Sequence, residues 1–169
     1  MSSIDTFRHL REDHARMLSE LGVLAVLAGA GQRGPREIDG MRGLVVLLET
    51  ECAAHMRTEE EALFPALAES EWMPEAAKTI APLRAEHAEI KDMLATLAGV
   101  LAGPANQARD EQIAVQAKDL VDLFRIHVRK EEALIFRMAE RVLPEATLQH
   151  LADRLLVHVT HTNRKGLSS

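Results

Sequence analysis

The chain repeats itself. LREDHA at 10–15 returns as LRAEHA at 83–88, and HMRTEE at 55–60 returns as HVRKEE at 127–132. The two offsets, 73 and 72 residues, are nearly equal. The sequence therefore divides into two halves of matched length, each with a histidine on its first helical segment and an HxxxE on its second. Such halves should pack with approximate two-fold symmetry, and that limits the fold more than any single motif does.

Each half reads as a helical hairpin. Gly, Pro, Asn and Ser cluster at GQRGP (31–35), SEWMP (70–74) and AGPANQ (102–107), and such clusters break helices. Four helical segments remain, roughly 4–30, 36–69, 75–101 and 108–140. Pro35 and Pro74 stand where a helix tolerates proline, at its first turn. Pro65, inside the second segment, predicts a kink or an end there. A shorter fifth helix is expected after Pro144, to about Val157, before a frayed tail HTNRKGLSS. Ala, Leu, Glu, Arg and Met dominate, Tyr is absent, and Phe and Trp are scarce, a composition that favours helix over sheet. The expectation is an all-α chain with one domain over 1–169. It would be an antiparallel up-down-up-down four-helix bundle at about 4–140, with a short C-terminal helix and tail at 144–169.

Several classes of function fall away. The net charge is −6, and no basic stripe interleaves with aromatics, so no nucleic-acid partner is expected. The longest apolar run, LGVLAVLAGA at 21–30, is too short to span a bilayer. The first residues lack the cationic start and apolar segment of a secretion signal. The single cysteine, Cys52, excludes an internal disulfide framework. These features predict a soluble, cytoplasmic protein, monomeric or weakly homodimeric.

The repeated motifs lie on the apolar face. At 100° per residue, Glu59 falls ~40° from His55, and Leu44, Leu48, Cys52, Ala62, Leu63 and Ala66 fall within ~80° of it. Glu60 and Glu61 point beyond ~110°, as a solvated face should. His127 and Glu131 are flanked alike by Leu120, Phe124, Leu134, Ile135 and Met138. His14 lies among Phe7, Leu10, Leu18, Leu21 and Ala25, and His87 among Ile80, Leu83, Leu94 and Ala98. Heights agree too: at ~1.5 Å per residue, His14 and His55 are ~26 and ~29 Å from the turn they share. Four histidines and two glutamates thus converge on one layer of the core.

An unpaired carboxylate in an apolar core costs several kcal/mol and would take up a proton. Two carboxylates with four imidazoles become tolerable around metal ions, whose charge offsets the anions. Each HxxxE offers one nitrogen and one oxygen at i and i+4. Carboxylates can bridge two ions, leaving two histidines per ion and room for a solvent bridge. Imidazole and carboxylate without sulfur suit iron, manganese or zinc. HxxxE alone is weak, since the chain's histidine and glutamate content makes a chance match unsurprising. Two matches in register with a repeat that also aligns His14 with His87 are a strong signal.

Other residues read as ordinary. Cys52 is expected to be a small buried residue. Lys91 is expected to snorkel to solvent, and Arg11 and Arg84 to form ion pairs with acids on neighbouring helices. His9, His150, His158 and His161 are expected at the surface. Met17, Met56, Met93 and Met138 are expected to pack.

The constellation His14, His55xxxGlu59, His87, His127xxxGlu131, together with LFP at 63–65, resembles the hemerythrin-like HHE cation-binding domain over roughly residues 5–140. The resemblance implies an antiparallel four-helix bundle around a non-haem di-iron centre, with an oxo or hydroxo bridge. His14, His55, His87 and His127 would be terminal ligands, and Glu59 and Glu131 bridges; zinc or manganese could substitute. The HxxxE order sets the chain apart from ferritin-like bundles, which carry ExxH. Oxygen-carrying hemerythrins have five histidines, ending with an HxxxH pair and a later aspartate. Here Glu131 stands in place of the second histidine, and no equivalent aspartate follows. A near-symmetric site is implied, with vacancies on both irons, which favours redox chemistry or labile iron over simple oxygen carriage. The arrangement is also similar to di-iron proteins linked to repair of nitrosatively damaged iron–sulfur centres. Those carry a cysteine-bearing N-terminal domain, whereas the first helix is expected almost at the start of this sequence. The implied function is to bind, sense or reduce O2, NO or peroxide, with or without turnover. A non-enzymatic iron-handling or sensing module and a structural zinc bundle are the competing expectations.

Overall fold

The helices begin and end close to where the sequence marks them. In a computed structural model, which describes residues 5–31 and 33–166 and side chains as far as Leu156, five helices form. Helix α1 is Arg8–Gly29; α2 comprises Pro35–Thr58, Glu59–Leu63 and Phe64–Ala68; α3 is Ala76–Ala102. Helix α4 comprises Gln107–Lys130, Glu131–Phe136 and Arg137–Val142, and α5 is Glu145–Gly166. The described residues contain no strand, and no helix among them is long and apolar enough to cross a membrane.

Local chemistry sets the boundaries. Pro35 opens α2 at its first position, where the missing N–H costs nothing. Asn106 caps α4, its Oδ1 accepting from the Arg109 N–H at 2.8 Å. Pro74 does not start α3; it lies in the preceding turn, closed by the Ala76 N–H on the Met73 carbonyl at 2.9 Å. Helix α5 starts after Pro144 and runs to Gly166, beyond the expected Val157 and into the segment read as tail.

Paired contacts establish the antiparallel order, because one number falls as the other rises. Along α1 and α2, Met17 meets Cys52 and Asp13 meets His55. Along α2 and α3, Arg42 bonds the Leu101 carbonyl and Arg84 the Glu60 carbonyl. Helix α4 closes the ring against α1, with His14 on Glu132 and Arg11 on Glu140. The result is the expected four-helix bundle, and α5 packs across α2 near its end.

Two features were not foreseen. Glu59–Leu63 and Glu131–Phe136 are π-helical turns, in which the Phe64 N–H reaches the Glu59 carbonyl and the Arg137 N–H the Glu132 carbonyl. A π turn inserts a residue and rotates everything after it. Leu134 and Met138, expected inside, are therefore 44% and 43% exposed, while Ile135 is in the core as expected and Phe136 and Ala139 join it there. In α2 the same shift brings Phe64 and Leu67 inward. Pro65 does not end α2: in π register its missing N–H would have served the Glu60 carbonyl, and Arg84 Nη2 donates there at 3.1 Å.

The second feature is a divided core. One apolar cluster runs through Met17, Leu48, Cys52, Leu94 and Phe124; the other through Phe7, Leu10, Phe64, Leu83 and Phe136. The six converging side chains lie between the two along every helix. Phe136 is fully buried, stacked on Phe7 at 4.7 Å and facing the His14 ring at 5.7 Å. Phe136→Ala is expected to cost about 3–5 kcal/mol. Calorimetry should record a melting temperature lower by roughly 10 °C.

Candidate metal centre

All six side chains that the repeat singles out come together. His14 enters from α1, His55 and Glu59 from α2, His87 from α3, and His127 and Glu131 from α4. None is more than 4% exposed. His14 Nε2 stands 3.1 Å from Glu131 Oε2, and His127 Nε2 stands 3.0 Å from Glu131 Oε1. His55 Nε2 is 3.4 Å from Glu59 Oε1, and His87 Nε2 is 3.3 Å from both Glu59 Oε2 and Glu131 Oε1.

These contacts are close, yet most lack the direction of a hydrogen bond. The Nε2 atoms of His14, His55 and His127, both oxygens of Glu59 and Oε2 of Glu131 are buried without a hydrogen-bond partner. A folded protein does not ordinarily leave six inward polar atoms unsatisfied in one layer. Two donors that share one ion at ~2.1 Å and a right angle stand ~3 Å apart without pointing at each other. The donors fall into two groups, His14, His55, Glu59, Glu131 and His87, His127, Glu59, Glu131, each with its atoms within 4.8 Å of one another. Both groups contain both glutamates. The donor set fits a borderline or hard cation.

Outside this layer lies a second one. His14 Nδ1 donates to Glu132 at 3.0 Å, His87 Nδ1 to Glu60 at 2.7 Å, His127 Nδ1 to Glu86 at 2.9 Å, and His55 Nδ1 to Asp13 at 3.4 Å. An ionised carboxylate only accepts, so each Nδ1 carries the proton and each Nε2 turns its lone pair inward when neutral. Such partners orient a ligating imidazole and raise its basicity. Glu60 is thus corrected: it belongs to no simple solvated face, being 28% exposed at its side chain and bound to His87. The clue was present in the repeat. An acid precedes each lone histidine (Asp13, Glu86), and a second glutamate follows each HxxxE glutamate (Glu60, Glu132).

The charges that surround the layer also differ from expectation in one case. Arg11 pairs with Asp5 and Glu140 at 2.6 and 2.7 Å, as expected, and lies over Phe136. Arg84 lies over Phe64, but its bond goes to the Glu60 carbonyl rather than to an acid. Lys91 is 45% exposed and 3.8 Å from Glu60. Among the described residues no arginine or lysine reaches Glu59 or Glu131, so the histidines alone balance them.

Titration follows that arrangement. Burial opposes charge on His55 and His87, but Glu59 and Glu131 outweigh it and carry the two imidazoles up to about 10 and about 9. His127 is raised by Glu131 against the same burial. Burial and mutual repulsion push Glu59 up, while His55 and His87 bring it below its ordinary value. Burial likewise opposes ionisation of Glu131, and the close imidazoles of His127, His14 and His87 hold it well below the carboxylate range. Without an ion, imidazolium groups serve as the cations.

The remaining residues stay apart from the centre. Cys52 is buried with its Sγ on Met17 Sδ at 3.6 Å, and burial, then the nearby Glu51, pushes its thiol up to about 12. The thiolate is the reactive form, so Cys52 is expected to resist iodoacetamide at pH 8 in the folded protein and to react within minutes in urea, as mass spectrometry would show. His9 sits at the surface beside Glu12, and His150 is exposed. The side chains of His158 and His161 lie outside the described residues. Met17 and Met56 are buried and Met93 packs against the core, whereas Met138 faces outward.

Residues 5–139 match the family described as the hemerythrin HHE cation binding domain. A comparison with curated proteins finds no match. The matched span holds all six inward donors and all four outer acids. The chain belongs to the hemerythrin HHE cation-binding domain family.

Proposed function

We propose that the chain holds two iron ions, with His14, His55, His87 and His127 as terminal ligands and Glu59 and Glu131 as bridges. We further propose that this centre binds O2, NO or peroxide and reduces or senses it. One observation carries the reading: two four-residue donor groups share both carboxylates. Imidazole and carboxylate without sulfur favour iron over softer-ligand metals, and two histidines per ion leave positions for solvent or a small ligand. When bound, a ferrous pair supplies two electrons to such a molecule.

The chain's own residues do the rest. Glu132, Glu60, Glu86 and Asp13 fix the four rings through Nδ1. Phe64 and Phe136 lie parallel to His87 and His14 at 5.7 Å, closing the layer on one side, and Phe124 lies beside His127 on the other. A dry, shaped site of this kind limits side reactions. Anaerobic reconstitution is expected to load about two irons per chain and, in air, to give the near-ultraviolet absorption of a bridged ferric pair. Less than about one iron per chain without that absorption would reject the proposal. Decay of added peroxide or NO by the loaded protein supports reduction; binding without decay supports sensing.

A further inference from the structure

The two halves share a plan but not dimensions. Resting on the two-ion reading above, we propose that the two ion positions are unequal. The one at His87 and His127 binds more tightly, and the one at His14 and His55 fills last and empties first.

The outer hydrogen bonds carry the difference. At the first position they measure 2.7 and 2.9 Å, to Glu60 and Glu86. At the second they measure 3.0 and 3.4 Å, to Glu132 and Asp13. N–H···O bonds are formed mostly below ~3.2 Å, so His55 is the ring held least firmly. It is also the most exposed of the four, at 4%. In the inner layer His87 Nε2 touches both shared carboxylates at 3.3 Å, whereas His14, His55 and His127 each touch one.

Arg16 explains the asymmetry. Its counterpart in the repeat is Glu89, so the feature exists in one half alone. Its Nη2 holds Asp13 Oδ1 at 2.6 Å while its Nε holds Glu51 at 3.0 Å, a two-point anchor that competes with His55 for the short Asp13 side chain. In the other half Lys130 likewise takes Glu86 Oε1 and leaves Oε2 on His127, but Glu86 is one methylene longer than Asp13 and reaches its histidine with the cation in place. Charge alone would favour the opposite order, because Lys91 and Lys130 flank the tighter position, whereas Arg16 at the weaker one is offset by Glu51. Lys91 and Lys130 are 45% and 41% exposed, and exposed pairs contribute little. An outer partner of a ligating histidine changes metal affinity ~10–100-fold. Geometry therefore decides.

The test is to titrate zinc(II) into metal-free protein labelled with 15N-histidine and follow the ring nitrogens by NMR. The first equivalent should shift His87 and His127, and the second His14 and His55, with affinities at least ~10-fold apart. Arg16→Gln changes a side chain that is 49% exposed and should let Asp13 close on His55, narrowing the gap. A role confined to fold stability would not do that. Glu86→Gln should weaken the first step. Equal, simultaneous shifts of all four rings, or His14 and His55 shifting first, would overturn the inequality while leaving two ions in place, and an unchanged gap in Arg16→Gln would overturn Arg16 as its cause. Saturation at one ion or none would overturn the two-ion reading itself.

Discussion

Stripping the metal from loaded protein is expected to lower its melting temperature by roughly 10–20 °C. An ion held at 100 times its dissociation constant stabilises the folded state by ~2.7 kcal/mol, and two such ions by about twice that. For a chain of this length each kcal/mol moves the midpoint by ~2–4 °C. The drop should grow with pH. In the metal-free protein His55 and His87 titrate near 10 and 9, well above the ordinary 6.5 of the unfolded chain. Their contribution is complete below pH ~6.5 and disappears as pH rises through those folded values. The lowered Glu59 and Glu131 act oppositely, contributing above pH ~4.5 and failing as pH falls. The metal-free protein should thus be most stable between pH ~4.5 and ~6.5. Ions displace the imidazole protons, so the loaded protein escapes the alkaline decline. Calorimetry at pH 6 and 9, with and without chelator, measures both effects. An equal metal effect at the two pH values would contradict them.

Glu131→Gln is expected to reduce bound iron to less than about one per chain and to lower stability by about 3–5 kcal/mol even without metal. Glu131 is the carboxylate that meets three imidazoles, His127 at 3.0 Å, His14 at 3.1 Å and His87 at 3.3 Å, and it belongs to both donor groups. The amide keeps the shape but loses the charge that raises His87 and His127 in the metal-free state. Its alkaline decline should therefore flatten. Glu132→Gln provides the contrast: it touches His14 from outside, so affinity should fall ~10–100-fold with the stoichiometry retained. Metal analysis after dialysis separates the two, and a Glu131→Gln protein still holding two ions would refute the shared-carboxylate arrangement.

The bundle was legible because each helix carries an apolar stripe and each connection carries Gly or Pro. The inward donors were legible because the repeat places the same residue types at the same height twice. What escaped were matters of hydrogen-bond register. A π turn has no side-chain signature, so Leu134 and Met138 were assigned inside and Phe64 and Leu67 were not. Glu60 was assigned to solvent by its angle on a straight helix, but it lies in the π turn that begins at Glu59, within reach of His87 on the next helix. Arg84 was read as an ion-pair partner; Pro65 created an unserved carbonyl nearby, and a guanidinium answers that as readily as an acid.

Two oily layers with a charged wafer between them have a mechanical consequence. Leucine-lined helices can slide past one another by a turn and find nearly equivalent packing. Here a slip of α4 by one turn, ~5.4 Å, would carry Glu131 away from His14 on α1 and His87 on α3 and bury it among apolar side chains. The wafer acts as a detent, admitting one alignment of the four rods and making every other one costly before any ion arrives.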